Sequence, residues 1–153
     1  MRGIDLLVNT RRLAVAALES LSPETRRAIP AGFSNNVLWH AGHLMVTQQI
    51  LCYKLSGLPM AVDATEVKNF VKGSSPANWD TDPDDDVILE KLALLPQKLR
   101  DDLIQGVFTT YEPYETSTGF VIASIEDAIA FNNFHEGVHL GMMRTMVKTL
   151  KKG

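Results

Sequence analysis

The sequence predicts an all-α protein, a four-helix bundle with long crossover connections. Four stretches of the 153-residue chain carry apolar residues at the 3.6-residue period of an amphipathic helix. Segments with proline and glycine separate these stretches, and two of the connections, residues 57–81 and 106–123, are long. A chain of this length can build a sizeable core without disulfides. We therefore expect residues 1–153 to form one domain.

The first two helices are predicted from their periodicity and their ends. Leucine and alanine recur on one side of residues 4–21, while Arg11 and Arg12 lie mostly on the other side. Ser34 is a suitable N-cap for the second helix, which is predicted over residues 35–57 and ends at a Gly-Leu-Pro sequence. This helix should make about six turns.

The third helix is predicted to begin with Asp82 as N-cap and Pro83 in the first helical position. Pro96 interrupts its leucine stripe, so we expect a kink or a break there. Gly106 closes the helix. The segment that follows, residues 107–123, fits either two short extended pieces or an ordered loop.

The last helix is predicted to follow Ser124 as N-cap, and a short additional helix is predicted near residues 66–71. Acidic residues in its first turn and lysines at its end suit the helix dipole. Its inward face is predicted to consist of Ala128, Phe131, His135, His139, Met142, Met146 and Leu150.

Composition excludes several classes of function. The chain has 15 Lys plus Arg against 18 Asp plus Glu, a net charge of −3, and no basic stripe with aromatic residues, so nucleic acid is not expected as a partner. Cys52 is the only cysteine, so there is no intrachain disulfide. Charged residues interrupt the apolar N-terminal segment, which predicts neither a signal peptide nor a membrane span. We expect a cytoplasmic protein with no membrane partner.

All four histidines fall in two clusters on predicted inward faces, His40 with His43 and His135 with His139. Residues four apart stack on one face of a helix, so His135 and His139 should point the same way. A single histidine on an apolar face is more often a hydrogen-bonded core residue than a ligand. Two facing clusters instead favour binding of a divalent metal. Three imidazoles would leave one coordination position of the ion open, as in catalytic zinc sites.

His43 is a better third ligand than His40. The two residues are three apart on the second helix, so their directions differ by about 60° and one ion would meet both only with strain. His43 is predicted in the middle of the buried stripe and His40 nearer its border. Ligation by all four histidines stays an alternative, and it would close the site.

Glu136 completes a second pattern, because residues 135–139 match the H-E-x-x-H signature of zinc metalloproteases. In that pattern the glutamate is a general base on metal-bound water, so Glu136 is a candidate catalytic residue. A protease is disfavoured because few residues follow His139 and the helical chain offers no obvious substrate-binding edge strand. The alternative is that Glu136, one position off the buried face, is exposed or forms a salt bridge between helices.

Two segments resemble motifs of the DinB-like superfamily. SNNVLWHAGHLMV resembles its second-helix motif, and FNNFHEGVHLGMM resembles its last-helix H-x-x-x-H-x-G motif. The resemblance implies a four-helix bundle, often a homodimer, that binds zinc, nickel or another divalent ion. It also implies that the metal ligands are His43, His135 and His139.

Three functions are compatible with these features. The resemblance suggests transfer of a low-molecular-weight thiol such as bacillithiol, mycothiol or glutathione to a small-molecule substrate, with metal activation of the thiol. This reaction requires no nucleophilic residue of the protein, which agrees with the position of Cys52, predicted about 180° from His43 and facing away from the site. The alternatives are hydrolysis by metal-bound water with Glu136 as base, and a non-catalytic bundle that binds a metal or a small ligand. Residues 57–81 and 106–123 should supply the walls of the open position.

Overall fold

Long α-helices form most of the protein in the computed structural model, which describes residues 2–151. The prediction of an all-α helical bundle is confirmed. Short helices and one two-stranded antiparallel hairpin lie in the connections, and the hairpin pairs Tyr114 with Ile122. In chain order the elements are α1 (Arg2–Glu19), α2 (Pro23–Arg27), α3 (Val37–Cys52), α4 (Ala64–Phe70), α5 (Asp85–Gln105), β1 (Tyr114–Glu115), β2 (Val121–Ile122) and α6 (Ile125–Leu150), with 3₁₀ turns at Lys54–Ser56 and Pro76–Asn78.

The four long helices form a ring in which α1 packs against α5 and α6, and α3 packs against the same two helices. Therefore α1 lies across the bundle from α3, and α5 lies across from α6. The connections from α1 to α3 and from α5 to α6 must each cross the bundle, and these are the ones that hold α2 and the β-hairpin. Crossover connections of this kind are known in helical bundles.

Helix α3 is buried on nearly every side, because α2 and α4 pack against it in addition to the two neighbouring long helices. Only Thr47 and Ile50 of its residues are not buried. His40 is 1% exposed and His43 is 6% exposed. The prediction that His40 lies nearer the border of a buried stripe is therefore wrong, since the covering segments leave α3 no solvent-facing border at that point.

Two helices begin later than predicted. Asn36, not Ser34, caps α3, and its side chain accepts a hydrogen bond of 2.8 Å from the backbone N–H of Trp39. Asp84, not Asp82, caps α5. Asp82 is drawn away because its carboxylate forms an ion pair with Arg27.

The second predicted helix is shorter than expected. Helix α3 ends at Cys52, and the chain continues in the 3₁₀ turn Lys54–Ser56 to Gly57, whose φ of 70° is in the left-handed region. A residue with a side chain adopts that conformation much less readily than glycine. Gly106 closes α5 in the same conformation, as predicted.

Pro96 lies inside α5 without breaking it. Proline has no N–H, so the carbonyl of Leu92, four residues earlier, loses its usual helical donor. The guanidinium of Arg11 on α1 donates to this carbonyl at 3.4 Å. A side chain from a neighbouring helix thus replaces the missing bond, and the expected break does not occur.

Other predictions about the connections hold. Ser124 caps α6 by accepting a 3.1 Å hydrogen bond from the backbone of Asp127. The short helix expected near residues 66–71 is α4, and the segment after Gly106 contains the two short extended pieces. Within residues 2–151, no helix combines the length and apolar character needed to cross a membrane.

Candidate metal centre

His43, His135 and His139 come together where α3 packs against α6. One ring nitrogen from each lies within 4.8 Å of the others, so the three could hold a metal ion. The Nε2 atoms of His43 and His135 are 3.2 Å apart. Two nitrogens bound to one tetrahedral ion at about 2.0–2.1 Å would be separated by about 3.3 Å. The spacing of this pair therefore already matches adjacent ligands of one ion.

The ring of His43 is fixed in plane and in protonation. It stacks on Trp39 with ring centroids 4.7 Å apart and planes 9° from parallel. Its Nδ1 lies 2.7 Å from the backbone carbonyl of Phe70. A carbonyl oxygen only accepts, so Nδ1 must carry the proton, and Nε2 presents a lone pair towards His135.

His40 acts on the cluster through His139. The Nδ1 atoms of the two residues are 2.7 Å apart, so one donates to the other. If His139 is to bind an ion through Nε2, its Nδ1 is the donor and His40 Nδ1 the acceptor. This geometry places His40 behind a candidate ligand.

Burial keeps the histidines neutral. It lowers the pKa of His135 to about 3, with the nearby charges of His43 and Arg11 acting in the same direction. It also lowers the pKa of His40 to about 4. The pKa of His43 is lowered mainly by burial as well, and its bond to Phe70 opposes the shift. Neutral imidazole is the form that binds a metal, so the cluster competes little with protons at neutral pH.

The buried face of α6 differs from the predicted one. Glu136 and Asn132 are completely buried, whereas Met142 is 39% exposed. The helix is therefore rotated so that positions 132, 136, 139 and 143 point inwards. The prediction that Glu136 lies one position off the buried face is wrong.

Glu136 forms a buried ion pair with Arg11, which is 1% exposed. The Nε of Arg11 donates to both carboxylate oxygens at 3.1 Å, and Nη2 donates to one of them as well. The same guanidinium reaches the carbonyls of Leu92 on α5 and Leu44 on α3. This pair joins all four long helices, and it corresponds to the salt-bridging alternative for Glu136.

Arg11 is the residue that sequence reasoning missed. The apolar periodicity placed Arg11 on the outer side of the first helix. Its burial was also unexpected because an arginine is seldom fully buried without a partner. The only available signal was the pair of buried groups that need a donor, Glu136 and the carbonyl four residues before Pro96. Neither could be matched to Arg11 without the packing of the helices.

The cluster opens on one side into a cavity of about 400 Å³. His43 and His135 lie in its wall beside Thr47 and Ile50, the two residues of α3 that are not buried. As expected, the two long connections supply further walls, through Val71 and Lys72 from one and Tyr114, Thr116 and Ser117 from the other.

Cys52 has no access to this cavity. Its side chain is fully buried in a core cluster with Leu7 and Leu99, and Asn132 contacts its sulfur at 3.6 Å. Burial raises the pKa of the thiol to about 12. The protein therefore brings no cysteine nucleophile to the histidines.

The donor set fits a borderline divalent ion. Three neutral imidazoles are suitable ligands for zinc or nickel, the orientations of two are fixed by Phe70 and His40, and one side is open to a cavity. A site closed by four protein ligands is typically structural, whereas an open position allows substrate binding.

Comparison with known proteins agrees with this geometry. The family model described as the DinB superfamily matches residues 6–143. A search of curated proteins finds no match.

Proposed function

The chain belongs to the DinB superfamily, and we propose that it is a divalent-metal protein in which His43, His135 and His139 bind zinc or nickel. The observation that carries this proposal is the convergence of three ring nitrogens within 4.8 Å at the mouth of a cavity.

The reaction that we propose is transfer of a low-molecular-weight thiol to an electrophilic small molecule. A divalent ion would lower the pKa of the thiol and make it a nucleophile at neutral pH. The single cysteine of the chain cannot serve as this thiol, because Cys52 is buried with a raised pKa. The thiol must then come from a second small molecule, for which the cavity leaves room.

The protein's own residues would orient the reactants and limit access of water. Phe70 and Trp39 hold the ring of His43, and His40 holds that of His139. Thr47 is the polar neighbour on the cavity side, with its hydroxyl 3.4 Å from His43 Nε2. These contacts keep the open side of the site directed at the cavity.

Glu136 is the candidate general base, the residue that would move a proton at the ion. Its carboxylate is completely buried and accepts three hydrogen bonds from Arg11. A carboxylate held in this way is poorly placed to exchange protons with a substrate, so we assign it a positioning role between His135 and α1. This weakens the hydrolytic alternative, which needs a base at the ion.

The test is a panel of thiols with a chromogenic electrophile, using protein loaded with zinc or with nickel. We expect turnover that depends on both the ion and one class of thiol, and loss of turnover in His135→Ala. Stoichiometric metal binding with no thiol-dependent conversion by any member of the panel would contradict the reaction while leaving the metal site intact.

We also propose a homodimer. The support is an apolar strip on α6 where Phe134, Val138 and Met142 are 59%, 45% and 39% exposed. Phe120 and Val121 of the hairpin, 46% and 52% exposed, extend the apolar surface. Gly141 lies within the strip with open space around it, so a second helix could approach closely.

A further inference from the structure

The cavity beside the histidines has a one-sided charge. Lys54 and Lys72 both line it, and within residues 2–151 no acidic side chain does. The chain as a whole has more acidic than basic residues, 18 against 15. We propose that this cavity binds a small anionic molecule, with Lys54 and Lys72 holding its carboxylate or phosphate and the apolar wall holding its body.

The two lysines reach the cavity from different parts of the chain. Lys54 begins the 3₁₀ turn that follows α3, and Lys72 follows α4 by two residues. Both are exposed, and neither forms an ion pair with a described residue. Other lysines do form such pairs: Lys68 with Asp80, Lys91 with Glu66 and Lys98 with Asp102. The ammonium groups at the cavity are therefore available to an anion from solution.

An anion would relieve an unfavourable arrangement of charge. Two lysines line one cavity, and an ion held by His43 and His135 would add further positive charge to the same cavity. Clefts lined by one sign of charge concentrate the field and attract the opposite charge. Charge-assisted hydrogen bonds from lysine then hold the anionic group more strongly than neutral ones would.

The remaining wall is mainly apolar. Ile50, Leu55, Val71 and Phe131 line the cavity, which at about 400 Å³ lies in the range of small-molecule sites. A ligand that fits both parts has an apolar body and an anionic end. This inference rests on the proposed function, because it takes the cavity to be the substrate side of the metal centre.

The test compares two probes of nearly equal shape, 4-phenylbutanoate and its neutral amide, 4-phenylbutanamide. Each is titrated into zinc-loaded and into metal-free protein at low salt, and binding is followed by calorimetry and by shifts of amide resonances near Thr116. We expect the anion to bind about tenfold or more tightly than the amide in both forms, since a hydrogen bond to a charged group contributes about 1.5–3 kcal/mol. The difference should shrink as salt increases.

Two variants locate the charge that is responsible. In the double variant Lys54→Met/Lys72→Met, the affinity for the anion should fall to that for the amide. Lys148→Met is a control for the loss of positive charge elsewhere in the protein, because it removes one charge about 20 Å further along α6 from His135. It should leave binding unchanged.

The inference would be overturned by equal binding of both probes, or by binding of the anion that does not depend on the two lysines. It would also be overturned if Lys148→Met weakened binding as much as the double variant, since the probe would then lie elsewhere. Failure of zinc to bind would contradict the proposed function instead, and the comparison in metal-free protein would still decide the role of the lysines.

Discussion

Each histidine of the centre has a different set of contacts, and this predicts different consequences of replacing it. His43→Ala removes a ring whose Nε2 faces His135, so we expect the metal content after gel filtration to fall from about one ion per chain to near zero. His40→Ala removes only the partner of His139 Nδ1. Loss of such a partner typically weakens binding by about 10–100-fold, so the variant should still fill with excess zinc.

Elemental analysis and a competition titration with a zinc indicator measure the two effects. The reverse order of losses, with His40→Ala empty and His43→Ala filled, would show that the ligand set is wrong. Equal and complete loss in both variants would indicate ligation by all four histidines.

Because Arg11 and Glu136 form a buried pair, we expect the free energy of unfolding to depend strongly on whether one partner or both are removed. Arg11→Met leaves a buried carboxylate with no counter-charge, and breaking a buried pair in this way costs about 3–5 kcal/mol. Replacing both residues, as in Arg11→Met/Glu136→Met, should recover at least half of that loss, because no unpaired charge remains.

Urea unfolding of the two variants gives the comparison. A double variant no more stable than Arg11→Met would mean that the hydrogen bonds to Leu92 and Leu44, and not the ion pair, account for the loss. The double variant also tests chemistry, because thiol-dependent turnover that survives it excludes Glu136 as the proton shuttle.

At this scale the sequence predicts more of the candidate ligands than of their surroundings. Their spacing predicts His135 and His139 on one face of a helix, and the resemblance adds His43; one ring nitrogen from each lies within 4.8 Å of the others. The rotation of α6 was not predictable in the same way. Periodicity assigns a charged residue to the outside, and Glu136 is inside only because Arg11 from α1 meets it there.

At the scale of elements, the close contact between α3 and α4 controls the orientation of His43. A Cβ atom at Gly42 would lie 2.4 Å from the ring of Phe70, far inside van der Waals contact. The carbonyl of that same Phe70 holds His43 Nδ1. Glycine at this position thus allows α4 to come near enough to orient His43, a candidate ligand one residue further along α3.

We therefore expect Gly42→Ala to weaken zinc binding by about tenfold or more, by displacing Phe70 from His43. Overpacking should also lower the free energy of unfolding by about 1–3 kcal/mol. Gly141→Ala is the control, because nothing lies within 4 Å of its added methyl group. It should leave zinc affinity unchanged.

A second substitution separates the two effects. Phe70→Leu in the Gly42→Ala background makes room for the methyl group, so it should restore part of the stability and part of the zinc affinity together. Zinc affinity that is unaffected by Gly42→Ala would show that the contact between Phe70 and His43 does not control the site.

The ends of the elements show where local rules are insufficient. Ser34 and Asp82 are good N-caps by residue type, but the helices begin at Asn36 and Asp84. The carboxylate of Asp82 binds Arg27 instead. Gly106 and Ser124 were predicted correctly. At Asp82 a tertiary ion pair uses the carboxylate that local rules assign to capping, and local sequence does not reveal such a contact.

At the scale of the whole molecule, α1, α5 and α6 were predictable from their apolar periodicity, and α3, which is buried on nearly every side, from the N-cap and glycine-proline signals at its ends. The arrangement of the helices around the bundle was not predictable, because it depends on the course of the connections. The same holds for the cavity, whose walls include the β-hairpin and the segment after α4. Those segments carry no periodic signal, and only the packed structure places them beside His43 and His135.

The arrangement of the helices also makes the homodimer testable with a matched control. Helix α6 and helix α5 lie on opposite sides of the ring, and each has an exposed apolar residue, Val138 at 45% and Leu94 at 56%. We expect the unmodified protein to sediment as a dimer at micromolar concentration, and Val138→Glu to sediment as a monomer, because a charge buried in an apolar interface without a partner is strongly unfavourable. Leu94→Glu should remain a dimer.

Monomeric unmodified protein would contradict the homodimer itself, and dissociation by Leu94→Glu alone would move the interface from α6 to α5. Val138→Glu also separates the interface from the metal site, because α6 carries two of the three candidate ligands. We expect this variant to bind zinc with unchanged stoichiometry. Its melting temperature should be lower than that of the unmodified protein and should no longer depend on protein concentration.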